Sequence, residues 1–154
     1  MKLDLVFSDD NENTVELLRQ AFEGCPRLTA LFMRPDELLK YELDAVFLTL
    51  AAAERWGSRP IPYKSQVLRT RPEDKDMPPY VVTGISMDAD DPRIGNPEAE
   101  LELVLKAVLD AVKSFNIEGN KPIHIIGFSV DMLKLKRIEL MTAGRIIRLM
   151  ADCA

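Results

Sequence analysis

The sequence has few of the residues that build several well-characterised functional sites. Seven glycines are scattered along 154 residues, and none falls into a G-x-G-x-x-G or P-loop pattern, which excludes a phosphate cradle built from glycines. A single histidine excludes a zinc cluster of the usual type. The segment 127–131 carries only the first half of the G-x-S-x-G nucleophile elbow. The sequence therefore predicts no metal, no cofactor and none of these catalytic centres.

Long hydrophobic runs and an excess of positive charge are also missing. No apolar stretch approaches the roughly 20 residues that a transmembrane helix requires, so we expect no membrane partner. The 20 basic and 25 acidic side chains give a net charge of −5, which disfavours a nucleic-acid partner, because phosphate contacts need a concentrated basic surface. Charge at Lys2 and Asp4 comes too early for a signal peptide. We expect a cytoplasmic protein.

The two cysteines, Cys25 and Cys153, stand far apart and outside any C-x-x-C or Cys/His cluster. One bridge between an early loop and the C-terminal tail fits this spacing, and so do two free thiols in a reducing compartment. We favour the free thiols.

Apolar strand patterns alternate with helix patterns along the whole chain. This order predicts a mostly parallel central sheet within a three-layer α/β/α sandwich, and the length suits a single domain over residues 1–154. Residues 58–79, with five prolines, have no regular pattern. The expected strands are 3–7, 28–33, 44–50, 80–87 and 123–126; the expected helices are 13–24, 35–39, 51–56, 98–115 and 132–150.

Ligands of such folds bind outside the carboxyl ends of the strands. The sequence places five loops there: 8–13, 34–37, 49–54, 86–91 and 127–131.

Several polar residues have both a functional and a purely structural interpretation. The acidic turn 88–91 has oxygen ligands for a hard cation but lacks the remaining ligands of a calcium loop, so we favour a solvated turn. Residues 8–10 are weakly similar to the acidic pocket of response-regulator receivers, but the aspartate and lysine that this site requires on later strands are absent. His124 is expected to be a packed core histidine, and Trp56 either stacks on a base or packs under the irregular segment.

The basic residues near the C-terminus also have two interpretations. They could face a phosphate group, but their interleaving with apolar residues favours a solvated face of the last helix. These residues are Lys134, Lys136, Arg137, Arg145 and Arg148.

One stretch of the chain, Arg34-Pro35-Asp36-Glu37-Leu38-Leu39-Lys40-Tyr41-Glu42-Leu43-Asp44-Ala45-Val46-Phe47, resembles a macro domain. Asp44-Ala45-Val46 is similar to the Asp-Ala-Ile-Val strand of that family, and Asp36 falls close to the aspartate that contacts adenine. The order of elements over nearly the whole chain resembles a bacterial branch of macro-like proteins. The resemblance implies a fold that binds ADP-ribose.

The resemblance also assigns the ligand-binding segments of this chain. The family carries an asparagine-rich segment at the distal ribose, where this chain has Thr49, Leu50 and Ala51. Its glycine-rich loop around the diphosphate corresponds here to Gly127, Phe128, Ser129 and Val130, followed by the negative charge of Asp131. Added β-carbons and a carboxylate both disfavour a diphosphate. These departures imply weakened or altered binding and give no support to removal of ADP-ribose.

Three functions follow as hypotheses. The first is a binding module for a nucleotide or an ADP-ribose-related metabolite. The second is a non-catalytic scaffold or interaction protein, self-associating as a homo-oligomer, whose cleft is filled by Leu48, Leu50 and Phe128. The third is a hydrolase or transferase, and we rank it last because no nucleophile–base pair emerges from the spacing of its acids. Those acids are Asp9, Asp10, Glu54 and Asp131.

Overall fold

A computed structural model describes residues 3–55, 64–70, 76–84, 95–119 and 121–152 of the protein. Its helices and strands follow one another in a β/α order. The strands are β1 (Asp4–Asp9), β2 (Leu28–Phe32), β3 (Ala45–Leu48), β4 (Gln66–Arg69), β5 (Tyr80–Thr83) and β6 (Ile125–Ser129). The helices are α1 (Glu12–Ala21), α2 (Pro35–Leu39), α3 (Leu50–Arg55), α4 (Pro97–Ile117) and α5 (Leu140–Met150), and a 3₁₀ turn spans Leu135–Arg137.

The strands form one sheet in the order β2-β1-β6-β3-β5-β4. All neighbours are parallel except β4, which pairs antiparallel with β5 at one edge. The predicted mostly parallel sheet between helices, and with it the three-layer α/β/α class, is confirmed. Within the described ranges, no helix is long and apolar enough to cross a membrane.

The two faces of the sheet are covered by different helices. Alternate residues such as Leu5, Phe7 and Phe47 pack under α1, α4 and α5, and we call this side the α4 face. The residues between them, such as Val6 and Val46, pack under α2 and α3, and we call this side the α2 face. The alternation follows from the two-residue period of a strand.

Asparagine side chains fix the starts of α1 and α4. Asn11 Oδ1 accepts a hydrogen bond from Thr14 N at 3.1 Å, and Asn96 Oδ1 accepts one from Ala99 N at 3.2 Å. Each satisfies a donor that the first turn of a helix leaves unpaired. The cap of α1 is thus Asn11, and the helix begins one residue before the expected start at 13.

Three sequence-based expectations about the elements are wrong. Residues 58–79 were expected to lack regular structure but contain β4, whose side chains are only partly buried and give a weak apolar signal. The last helix begins at Leu140 and not at 132, because the chain first makes the 3₁₀ turn. His124 is exposed ahead of β6, and its backbone N–H donates to Asp44 Oδ2 at 2.7 Å.

Cys25 is disulfide-bonded, so the expectation of free thiols is wrong; Cys153 lies outside the described residues. Two arginines hold the same region against the end of α5. Arg27 donates to the carbonyl of Ala151 at 2.8 Å, and Arg148 donates to the carbonyl of Glu23 at 2.6 Å. The C-terminal end of α5 is thereby fixed to the connection between α1 and β2.

Candidate site at the carboxyl edge between β6 and β3

The connections of the sheet change direction between β6 and β3. The chain leaves β6 toward α5 on the α4 face, whereas it leaves β3 toward α3 on the α2 face. A point where neighbouring parallel strands send their chains to opposite faces is where open α/β sheets form a ligand crevice.

The same two strands separate before they end. Their ladder pairs only Ala45 with Ile126 and Val46 with Gly127. By contrast, β1 stays paired with β6 as far as Ser8↔Ser129, and β3 stays paired with β5 as far as Leu48↔Thr83. The sheet therefore opens at its carboxyl edge between β6 and β3.

The end of β3 contributes the predicted residues Thr49, Leu50 and Ala51. Thr49 Oγ1 accepts a hydrogen bond from Ala52 N at 3.1 Å and so caps α3. Leu50 is half-buried and Ala51 is exposed. The segment thus follows the carboxyl end of β3, where the sequence placed loop 49–54, but the Thr49 hydroxyl already has a structural partner.

Asp36 lies in the first turn of α2, directly after β2, and belongs to the same edge of the sheet. Its carboxylate is 3.7 Å from Arg34 Nε and its side chain is 66% exposed. Arg34 Nε also donates to Glu37 Oε1 at 2.9 Å. The hydrogen bond to Glu37, with Asp36 close by, raises the pKa of Arg34 above its usual range. The Arg34 cation is therefore shared between two carboxylates.

The predicted diphosphate loop at Gly127, Phe128, Ser129 and Val130 requires a correction. The first three residues belong to β6. A β-carbon at Gly127 would collide with Leu43 of the α2 face. Phe128 is fully buried on the α4 face, where its ring stacks on Phe7 at 5.1 Å and on Phe47 at 5.6 Å between centroids. Gly127 and Phe128 are thus core residues, and the loop itself begins only at Val130.

Ser129 and its neighbour Ser8 form a pair of hydroxyls on the α2 face at the end of the sheet. Ser8 is 2% exposed and Ser129 is 7% exposed. Neither hydroxyl makes a hydrogen bond within the part of the chain that the structure describes. Because no fully buried side-chain oxygen there lacks a partner, both hydroxyls must open to solvent. The two serines thus lie side by side at the carboxyl ends of β1 and β6, next to the opening between β6 and β3.

Four successive backbone N–H groups, those of residues 130–133, follow Ser129. Val130 N–H donates to Ser8 O, and Leu133 N–H donates to Ser129 O at 3.2 Å. Between them, the N–H groups of Asp131 and Met132 meet no acceptor among the residues that are described. The turn after β6 therefore offers two adjacent donors to a ligand.

A lysine and two aspartates flank the crevice. Lys136 Nζ lies 3.2 Å from Asp9 Oδ2 and 3.4 Å from Asp131 Oδ1. The Asp9 side chain is 2% exposed, whereas that of Asp131 is 63% exposed. Desolvation is the largest single influence on Lys136 and lowers its pKa, but its hydrogen bonds and charge attraction to the two aspartates together raise that pKa above 10.5. Lys136 is a fixed cation already engaged by two carboxylates.

This arrangement corrects one further expectation from the sequence, that all the basic residues near the C-terminus lie on the last helix. Lys134, Lys136 and Arg137 precede the last helix, and only Arg145 and Arg148 lie on α5. The described residues contain no group of three or more acids, cysteines and histidines that could hold a metal ion. The acidic turn 88–91, loop 86–91, the end of the expected strand 80–87 and Trp56 lie outside the described residues.

Sequence reasoning missed Ser8 as a site residue, although it included loop 8–13. The available signal was a serine ending a buried apolar strand, but nothing in the sequence showed that β1 and β6 are neighbours. That adjacency alone brings Ser8 beside Ser129.

Comparison with known proteins gives no match: neither a protein-family model, nor a curated protein, nor a solved structure matches this chain. The macro-domain resemblance therefore stays a hypothesis that rests on residues 34–47 and on the order of elements.

Proposed function

We propose that this chain is a macro-like binding module for a nucleotide or an ADP-ribose-related metabolite, and that it does not catalyse a reaction. The observation that carries the proposal is the early separation of β6 from β3 at the point where their connections diverge. This crevice contains polar groups without protein partners, which a ligand can satisfy.

Two features support a binding role over a catalytic one. The acids named as candidates for catalysis do not form a nucleophile–base pair in the described part of the chain, since Asp9 and Asp131 are both engaged by Lys136. The groups left without partners are hydroxyl and N–H donors, which orient a ligand but do not abstract a proton.

The alternative is a scaffold that has lost ligand binding. It requires a cleft filled by apolar side chains, among them Phe128. Phe128 instead stacks within the core of the α4 face and does not fill the crevice, whereas Leu48 packs on the α2 face and Leu50 is half-buried.

Isothermal titration with ADP-ribose, NAD and AMP tests the proposal. We expect a dissociation constant in the micromolar range for at least one of them, about −8 kcal/mol. Asp36→Ala should weaken this binding if the resemblance assigns Asp36 correctly. Asp110→Ala, an exposed change on α4, is the matched control and should leave the affinity unchanged.

Absence of heat for all three ligands, at millimolar concentration and at two temperatures, would contradict the nucleotide proposal. The scaffold alternative would then be tested through the oligomeric state of the purified chain.

A further inference from the structure

We propose that Ser8 and Ser129 hold an uncharged, hydroxyl-bearing part of the ligand, such as a sugar ring, and that phosphate is not the group this site recognises. The inference rests on the proposed function, because it assigns a ligand part to the same crevice. It adds two residues and a chemical class that the sequence resemblance does not supply.

Ser8 and Ser129 are adjacent and largely buried. They are neighbours in the β1–β6 ladder, and neighbouring strands lie about 4.8 Å apart, so one ligand group or two adjacent ones can contact both hydroxyls. More than nine-tenths of each residue is buried. Each hydroxyl nevertheless reaches solvent, so a ligand that hydrogen-bonds to both would replace water at these two groups.

The hydroxyls and backbone N–H groups here match the hydrogen-bonding groups of a sugar. A serine hydroxyl both donates and accepts hydrogen bonds, and so does the hydroxyl of a sugar. The N–H groups of Asp131 and Met132 add two donors for sugar oxygens. A crevice with two hydroxyls and two N–H donors thus matches a ligand part that carries several neutral oxygens.

The charged side chains near the two serines are unfavourable for a phosphate group. Arg34 is held by Glu37 and Asp36, and Lys136 is held by Asp9 and Asp131. Each group has two carboxylates and one cation, so each carries a net negative charge. A phosphate dianion beside these two clusters would be repelled by the net negative charge of each, which is unfavourable. Neutral hydroxyls meet no such penalty.

The experiment records amide NMR spectra of the whole chain with four probes: ADP-ribose, adenosine and ribose (both of which lack phosphate), and inorganic phosphate. We expect ADP-ribose and adenosine to shift the amides of Ser8, Ser129, Asp131 and Met132, and inorganic phosphate to leave them in place. Shifts of these amides by inorganic phosphate alone would overturn the proposal.

Serine variants provide the second arm. Ser8→Ala and Ser129→Ala should each weaken adenosine and ADP-ribose binding about tenfold, the effect of one lost hydrogen bond. Ser114→Ala, which removes an exposed hydroxyl on α4, is the matched control. Because the two crevice hydroxyls have no protein partner, their removal should not lower the melting temperature. A fall in melting temperature would overturn the proposal by assigning the serines a structural role.

The outcomes separate this inference from the proposed function. ADP-ribose binding that both serine variants retain would overturn the inference and leave the nucleotide proposal standing. Amide shifts with millimolar ribose, without binding of ADP-ribose, NAD, AMP or adenosine, would support the inference and overturn the nucleotide proposal. No shift with any probe would overturn both.

Discussion

The two faces of one sheet differ in how completely they are filled. On the α4 face, three phenylalanine rings stack across three neighbouring strands, and long helices cover them. On the α2 face, two short helices cover a glycine, and two serines end the strands. Stability is therefore expected to depend mainly on the first face, while the second retains polar groups that packing does not use. Separation of this kind lets a fold keep polar groups at one edge of the sheet without weakening its core.

The largest expected effect is on the aromatic stack. Phe128→Ala removes a fully buried ring that contacts Phe7 and Phe47, and we expect a loss of about 3–5 kcal/mol in the free energy of unfolding. Urea denaturation measures it. The matched control is Phe32→Ala at the end of β2, where the side chain is 54% exposed. Equal losses for the two variants would show that burial in the aromatic stack does not set the cost of removing a ring.

A pair of glycine substitutions compares the faces directly. A β-carbon at Gly144 of α5 would collide with the β-carbon of Ala21, which cannot rotate away. At Gly127 it would collide with the tip of Leu43, which can change rotamer. We expect Gly144→Ala to destabilise by about 1–3 kcal/mol, despite the better helix propensity of alanine.

Gly127→Ala should destabilise less than Gly144→Ala, by about 1 kcal/mol. Urea denaturation of both variants beside the wild type gives the order. The opposite order would mean that the α2 face is packed more rigidly than the α4 face.

The smallest expected effect concerns the cation beside the crevice. Lys136→Met removes the cation beside the buried Asp9 carboxylate, which keeps, among the residues described, only the N–H of Asn11. We expect a loss of about 1–2 kcal/mol in the free energy of unfolding, since Lys136 itself is half exposed. Lys106→Met, which removes an exposed ion pair with Asp110 on α4, is the control. We expect it to cost less than about 0.5 kcal/mol.

The Lys136 contribution should also depend on pH. Because the folded protein raises the pKa of Lys136, this contribution is complete below the ordinary lysine value and is lost as the pH rises through the raised value. Wild type and Lys136→Met should therefore converge in stability at strongly alkaline pH. A constant difference across that range would contradict the ion-pair explanation.

The elements of the fold were largely predictable from the sequence, because their signals are local. Apolar runs located β1, β2 and β3, and the periodic stripe through Leu101, Leu105, Val108 and Val112 located α4. β4 was not predictable, since it is a partly exposed edge strand among prolines. The expected strand 123–126 ended too early, because glycine and serine at 127 and 129 are typical of loops. The strands that pair with this segment are not visible in the sequence.

For the candidate site, only its location in the fold could be predicted from the sequence. Parallel strands place their carboxyl ends at one edge, and this rule correctly selected Thr49, Ser129 and Val130 as residues of that edge. The order β1-β6-β3 is not a local property of the sequence. It decides that Ser8 is the neighbour of Ser129, that Lys136 reaches Asp9, and that the sheet opens between β6 and β3.

The pairing of β1 with β6 joins segments far apart in sequence, since β1 spans Asp4–Asp9 and β6 spans Ile125–Ser129. During synthesis, β1 must wait until residues 125–129 have been made before its partner β6 exists. Contacts of such large sequence separation slow folding, and until then the open side of β1 is an unpaired edge that can join other chains. A nascent or C-terminally shortened chain should therefore depend on chaperones far more than the finished protein does.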